Sequence, residues 1–135
     1  MKPTILFAHD QQENPEARQR GLEQAGFAVR LVKNHAELLG ALTGEAPALV
    51  LIDSLLEGKT GFESAREVRA RDAGRTFPIV LCTHVYRLEA FRKEALRCGA
   101  QELLLLPLPT EEFVRRIQLM LAGFAQAAAG GSAAA

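Results

Sequence analysis

The chain has no tryptophan, one tyrosine and two cysteines in 135 residues, and no excess of either charge. Two cysteines are too few for a disulfide scaffold. Cys82 falls within a strand pattern and Cys98 closes a helix pattern, so both are expected as reduced thiols of a cytoplasmic protein. Sixteen Lys plus Arg balance sixteen Asp plus Glu, so net charge gives no reason to bind nucleic acid or an acidic membrane. No secretory leader opens the chain, and no apolar run approaches the roughly 20 residues that span a bilayer. No glycine-rich loop follows the first apolar run. His9-Asp10-Gln11-Gln12-Glu13 is polar and acidic instead, which disfavours a phosphate cradle or a flavin carrier. No Ser-His-Asp or Cys-His arrangement is apparent, so the chain is read as not an enzyme.

What is present is alternation. At 48% hydrophobic and 24% charged, the chain has the composition of one globular domain with one core. Thr4 to Ala8 reads as a first strand ending at His9 and Asp10. Asn14-Pro15-Glu16 reads as a helix start, and that helix stops at Gly26. Phe27 to Val32 is a second strand whose partial alternation suits a sheet edge. Asn34-His35-Ala36-Glu37 resembles a capping box for a short helix that ends near Gly44. Ala48 to Ile52 is an unbroken apolar run ending abruptly on Asp53, the signature of a strand buried on both faces. A loop follows, then a helix from Gly61 to about Asp72.

Pro78 to Thr83 is a fourth strand, Tyr86 to Cys98 a helix, and Glu102 to Leu106 a fifth strand. Thr110-Glu111-Glu112 caps a last helix with Phe113, Val114, Ile117, Met120, Leu121 and Phe124 on its inner face. Five strand–helix units predict a doubly wound α/β domain, a five-stranded parallel sheet with helices on both faces. Residues 1–123 are expected to form this domain, and 124–135 an Ala/Gly-rich tail or linker.

Ligands of such sheets bind beyond the carboxyl ends of the strands. Three of these ends carry polar groups: His9-Asp10, Asp53 and Thr83. In a parallel sheet they point the same way, so they are expected to meet in one depression, with Asp53 presented to solvent. Two carboxylates held close repel each other unless a cation intervenes. A hard divalent ion such as Mg²⁺ suits one or two carboxylates plus a carbonyl. An Asp beside it is a competent nucleophile toward a phosphoryl group.

These features together resemble the response-regulator receiver domain of two-component signalling, over roughly residues 2–123. Ile5 to Asp10 stands where that family has an apolar strand ending in two acids, and Pro47 to Asp53 matches its acceptor strand. Gly61, eight residues after Asp53, matches its loop glycine. Phe77 to Thr83 matches the strand ending in the switch hydroxyl. Gly99-Ala100 precedes the fifth strand as expected, and Pro107 matches a proline that follows a cis peptide bond.

The resemblance implies a flavodoxin-like (βα)5 fold with strand order 2-1-3-4-5, Asp53 as phosphoacceptor and Thr83 as switch hydroxyl. It implies Mg²⁺ at Asp10, Asp53 and the backbone carbonyl of Leu55. The implied partner is a sensor histidine kinase or another signalling protein. Output is expected from the fourth helix, fifth strand and fifth helix, a face read as including Phe91, Ala95, Leu103 and Leu105. The last helix is also a candidate for homodimer contact.

Several positions depart from the family pattern. Leu106 stands where a lysine is usual and His9 where an acid is. His84 replaces a very small residue after Thr83, Glu57 replaces a loop proline, and Leu103 replaces an aromatic. These departures lead to the expectation of a degenerate receiver. Its acceptor would lack a cationic neighbour, phosphorylate poorly and hold Mg²⁺ weakly or not at all. The alternative is a pseudo-receiver that binds partners without phosphorylation.

Plainer accounts fit the same residues taken singly. Asp53 alone suits a loop cap, and Thr83 alone a β-former with local hydrogen bonds. His9 is read as tuning pocket charge and His84 as a partly exposed loop residue. With His35 at a helix start, a zinc site is disfavoured. Arg66, Arg69, Arg71 and Arg75 read as a solvated face rather than a binding patch.

Overall fold

The computed structural model describes residues 1–72 and 76–134, the last seven of these as helix backbone alone. In chain order the elements are β1 (Thr4–Ala8), α1 (Glu16–Gln24), β2 (Ala28–Val32), α2 (His35–Ala41), β3 (Leu49–Asp53), β4 (Leu55–Leu56), β5 (Lys59–Thr60), α3 (Gly61–Arg71), β6 (Ile79–Thr83), α4 (Glu89–Arg97), β7 (Glu102–Leu105) and α5 (Thr110–Ala134).

Five strands form a parallel sheet in the order β2-β1-β3-β6-β7, which is 2-1-3-4-5 when only sheet strands are numbered. β4 and β5 form a separate antiparallel hairpin between β3 and α3. The sequence reads that stretch as loop, because two residues per strand carry no periodicity.

The strands position the site because side chains alternate between the two faces. In β3, Leu49 and Leu51 enter the layer packed by α1 and α5, while Val50 and Ile52 enter the layer packed by α2, α3 and α4. All five residues of β3 and of β6 are buried, and β2 on the edge is only partly so. Burying each Leu, Ile, Val or Phe contributes ~1.5–3 kcal/mol, so these two strands anchor whatever their ends carry.

Several helix boundaries shift for local reasons. Asn14 Oδ1 accepts from the Glu16 amide at 2.9 Å, one position before the residue that caps α1. Asn34 caps α2, accepting from the Glu37 amide at 2.8 Å, but Glu37 accepts from the Lys33 amide instead of closing a box. α2 then ends at Ala41. The full capping box lies at Thr60 and Glu63, at the start of α3. α4 begins at Glu89 and not at Tyr86, because the amides of Val85 and Tyr86 donate to Thr83 Oγ1 at 3.0 and 2.9 Å.

Arg69 is corrected from a solvated residue to a buried one, 9% exposed. Its guanidinium donates to the carbonyl oxygens of Gly99 and Phe77 and pairs with Asp72 at 2.9 Å. Gly99 has φ of +92°, and a side chain there would also strike Arg69. Arg66 and Arg71 are exposed, and Arg75 lies outside the described residues. The output face needs a similar correction: Ala95 and Leu103 are 0% and 1% exposed, core residues that present nothing to a partner.

Candidate functional site

The carboxyl ends of β1, β3 and β6 open on one edge of the sheet. There Asp10, Asp53 and Thr83 line a single depression of ≈ 50 Å³, together with Glu13, Leu55, His84 and Leu106. Asp53 is not presented to solvent as expected: it is 3% exposed. Three donors cover its carboxylate. The Asp10 amide donates to Oδ2 at 2.9 Å, and Arg18 donates from Nη1 to Oδ1 at 2.7 Å and from Nη2 to Oδ2 at 3.1 Å.

Arg18, on α1, is a residue of the site that sequence reasoning missed. It lies 35 positions from Asp53, and only the topology brings the two together. Its guanidinium carbon sits 4.6 Å from the centre of the Phe7 ring and 5.9 Å from that of Phe113, contacts that favour a cation. Burial alone would lower its pKa, but the hydrogen bond and charge of Asp53 outweigh burial and raise it, so the group stays charged. Beside the pair, burial pushes the Cys82 thiol up and the charge of Asp53 adds to the shift. Cys82 and Cys98 are both free and buried.

Two of the groups expected to hold Mg²⁺, the Asp10 and Asp53 carboxylates, already accept hydrogen bonds. Asp10 Oδ1 accepts from the Gln12 amide at 2.8 Å, and both Asp53 oxygens hold Arg18. Leu55 lines the depression, but among the described residues no group of three His, Cys, Asp or Glu could hold a metal ion. The arrangement is consistent with a weak Mg²⁺ site or with none. The cation between the carboxylate and its surroundings is a guanidinium.

Thr83 is 2% exposed, and its hydroxyl is 2.8 Å from Ser54 Oγ. With the Val85 and Tyr86 amides also on that oxygen, its bonds organise the loop after β6 and do not reach Asp53. His84 is partly exposed, and its Nε2 lies 2.9 Å from Glu13 Oε1. Glu13 is also 3.5 Å from Arg18, so it bridges the mouth of the depression. His9 stacks edge-on with Phe7, bonds the Asp10 carbonyl at 3.2 Å and does not line the depression. Leu103 is buried in the core away from the depression. Leu106 precedes Pro107 across a cis peptide bond.

A second polar cluster joins α2 to α3. His35 Nδ1 lies 2.8 Å from Ser64 Oγ and Nε2 lies 2.7 Å from Glu67, which also pairs with Lys59. Ser64 is fully buried, so this chain of bonds fastens two helices and offers no reachable nucleophile.

The model of the response regulator receiver domain matches residues 5–118. The chain belongs to the response regulator receiver family. Receivers are signalling modules and not enzymes. This receiver is 33% identical over 118 residues to the transcriptional regulatory protein GltR of Pseudomonas aeruginosa, covering 87% of the chain but 48% of GltR. It spans only about half the length of that curated relative. It is 32% identical over 114 residues to an uncharacterised 14.6 kDa protein of Leptolyngbya boryana, covering 84% and 86% of the two chains. The chemotaxis response regulator CheY4 of Vibrio cholerae superposes with a TM-score of 0.80 at 21% identity, over 89% of this chain and 99% of that one, a likeness of fold.

The expectation of an impaired site, argued from Leu106 as a lost lysine, is corrected. A lysine, Lys59 on the hairpin after Asp53, stands at the expected switch-lysine position. Asp53 also does not lack a cationic neighbour, since Arg18 is bonded to it. Among the described residues no helix is long and apolar enough to cross a membrane.

Proposed function

We propose that this receiver accepts a phosphoryl group on Asp53 from a sensor histidine kinase or another phosphorelay protein in the cytoplasm. The observation that supports this best is the shared depression of Asp10, Asp53 and Thr83 at the carboxyl edge of the sheet. In the transfer, an Asp53 oxygen bonds to phosphorus as the donor's P–N bond breaks. The electron pair leaves on the donor's imidazole nitrogen. Thr83, the last residue of β6 before the loop to α4, is the hydroxyl best placed to register the change. Its movement would pull on the Val85 and Tyr86 amides it now holds. Output then runs to a second domain or partner through the exposed parts of α4, β7 and α5, where Leu96 and Leu119 are 55% and 53% exposed. That GltR is about twice as long and is named a transcriptional regulator supports an output of this kind.

The test is incubation with acetyl phosphate followed by intact-mass measurement. The expected result is a gain of one phosphoryl mass that is absent from Asp53→Asn. A wild-type protein that gains nothing refutes the assignment.

A further inference from the structure

We propose that Arg18 supplies the positive charge at the acceptor, holding the Asp53 carboxylate at rest and taking the charge of the phosphoryl group once it is attached. This rests on the reading of Asp53 as phosphoacceptor. The contact is fork to fork, with each guanidinium nitrogen on a different carboxylate oxygen at 2.7 and 3.1 Å. That geometry recognises planar carboxylate and phosphoryl oxygens and is stronger than a neutral hydrogen bond.

The group is also seated. Phe7 and Phe113 face it, Glu13 is 3.5 Å away, and the side chain is 12% exposed. A charge fixed in a nearly closed site needs no reorganisation when negative charge develops beside it. A phosphoryl group carries about −1.5 to −2 where the carboxylate carried one charge, so the demand for a cation rises on transfer. Lys59 is bonded to Glu67 and does not line the depression, so the charge in contact with Asp53 comes from α1.

The hydrogen bonds also single out the attacking atom. Oδ2 accepts from both Asp10 and Arg18, whereas Oδ1 accepts from Arg18 alone and keeps a lone pair. With acetyl phosphate, Oδ1 bonds to phosphorus as the P–O bond to the acetyl group breaks. The electron pair leaves on acetate. Arg18 keeps its protons throughout.

The opposite role, a lock that must withdraw before transfer, predicts the opposite sign. The experiment compares wild type, Arg18→Ala, Arg18→Lys and Asp53→Asn as full chains incubated with acetyl phosphate. Intact mass follows the gain and, after donor removal, the decay of the phosphoryl group; circular dichroism checks folding. Arg18→Gln, which keeps length and loses charge, carries the test if Arg18→Ala does not fold. The expected result is roughly 10–100-fold slower gain and a shorter phosphoryl lifetime in the uncharged variants, with part of both restored by Arg18→Lys. Gain as fast as wild type, or faster, in a folded uncharged variant overturns the role of Arg18 while leaving Asp53 as acceptor. No gain in wild type, or equal gain in Asp53→Asn, overturns the acceptor assignment and this proposal with it.

Discussion

Gly61 begins α3 directly against Asp53, and replacing it with alanine sets two effects against each other. A Cβ there would lie 2.5 Å from the Asp53 carbonyl oxygen, 2.9 Å from Ser54 Cα and 3.1 Å from the Asp53 carbonyl carbon. All three are backbone atoms of a stretch that cannot yield cheaply. Asp53 is in register with Cys82, the Ser54 amide donates to the Cys82 carbonyl at 2.8 Å, and the Gly61 amide donates to Ser54 at 2.7 Å. Overpacking of this kind costs ~1–3 kcal/mol, and rigid partners place it at the upper end. Removing a glycine returns about 0.4–1 kcal/mol through the unfolded chain. The clash wins, for a net loss of about 2 kcal/mol. With an unfolding entropy of about 2.1 cal/mol/K per residue, that lowers Tm by roughly 7 °C. Differential scanning calorimetry measures it, with Gly40→Ala as the control. Gly40 lies within α2 with nothing within 4 Å of its Cβ position, so alanine there should raise stability by about 0.5–1 kcal/mol. If Gly61→Ala melts with wild type or rises with the control, the close-approach argument is wrong.

Thr83→Val keeps shape and removes the hydroxyl shared with Ser54, Val85 and Tyr86. It should cost roughly 1–3 kcal/mol by urea unfolding, and an unchanged midpoint would count against the turn-organising role. Arg69→Met removes the cation beside Asp72, which keeps its bonds from Thr76, and a donor from the Gly99 and Phe77 carbonyls, so a loss of about 3 kcal/mol is expected in the same assay. The Lys59 hydrogen bond, and after it that of His35, hold the exposed Glu67 carboxyl down to about 2. Because the folded value is depressed, the pair's contribution is present above the ordinary carboxylate pKa of about 4.3 and is lost as pH falls through about 2. Carboxyl-carbon NMR should show Glu67 titrating near pH 2, and Lys59→Ala should move it upward; a variant titrating like wild type removes Lys59 as the cause.

Much of this fold was legible because buried parallel strands advertise themselves. Leu49 to Ile52 has no polar alternation since both faces are covered, and the same holds for Ile79 to Cys82. The polar tips followed once those runs were seen, and the strand order was what the family resemblance implied. What escaped was long-range or too short to have a period. The β4–β5 hairpin has two residues per strand. Arg69 read as part of a solvated face and Arg18 was not singled out at all; their targets, the Gly99 carbonyl and Asp53, come from sequence 30 and 35 positions away. The solvent-facing Asp53 was misjudged for the same reason, since the side chain that covers it belongs to another element.

One guanidinium therefore has its nitrogens on the end of the central strand and its carbon 5.9 Å from the centre of a ring of α5, Phe113. That ring is 1% exposed and shares its core layer with Ile117 one turn on. The terminal helix thus lies a single side chain from the carboxylate. A charge change there would reach α5 as a packing change, with no rearrangement of the intervening loops.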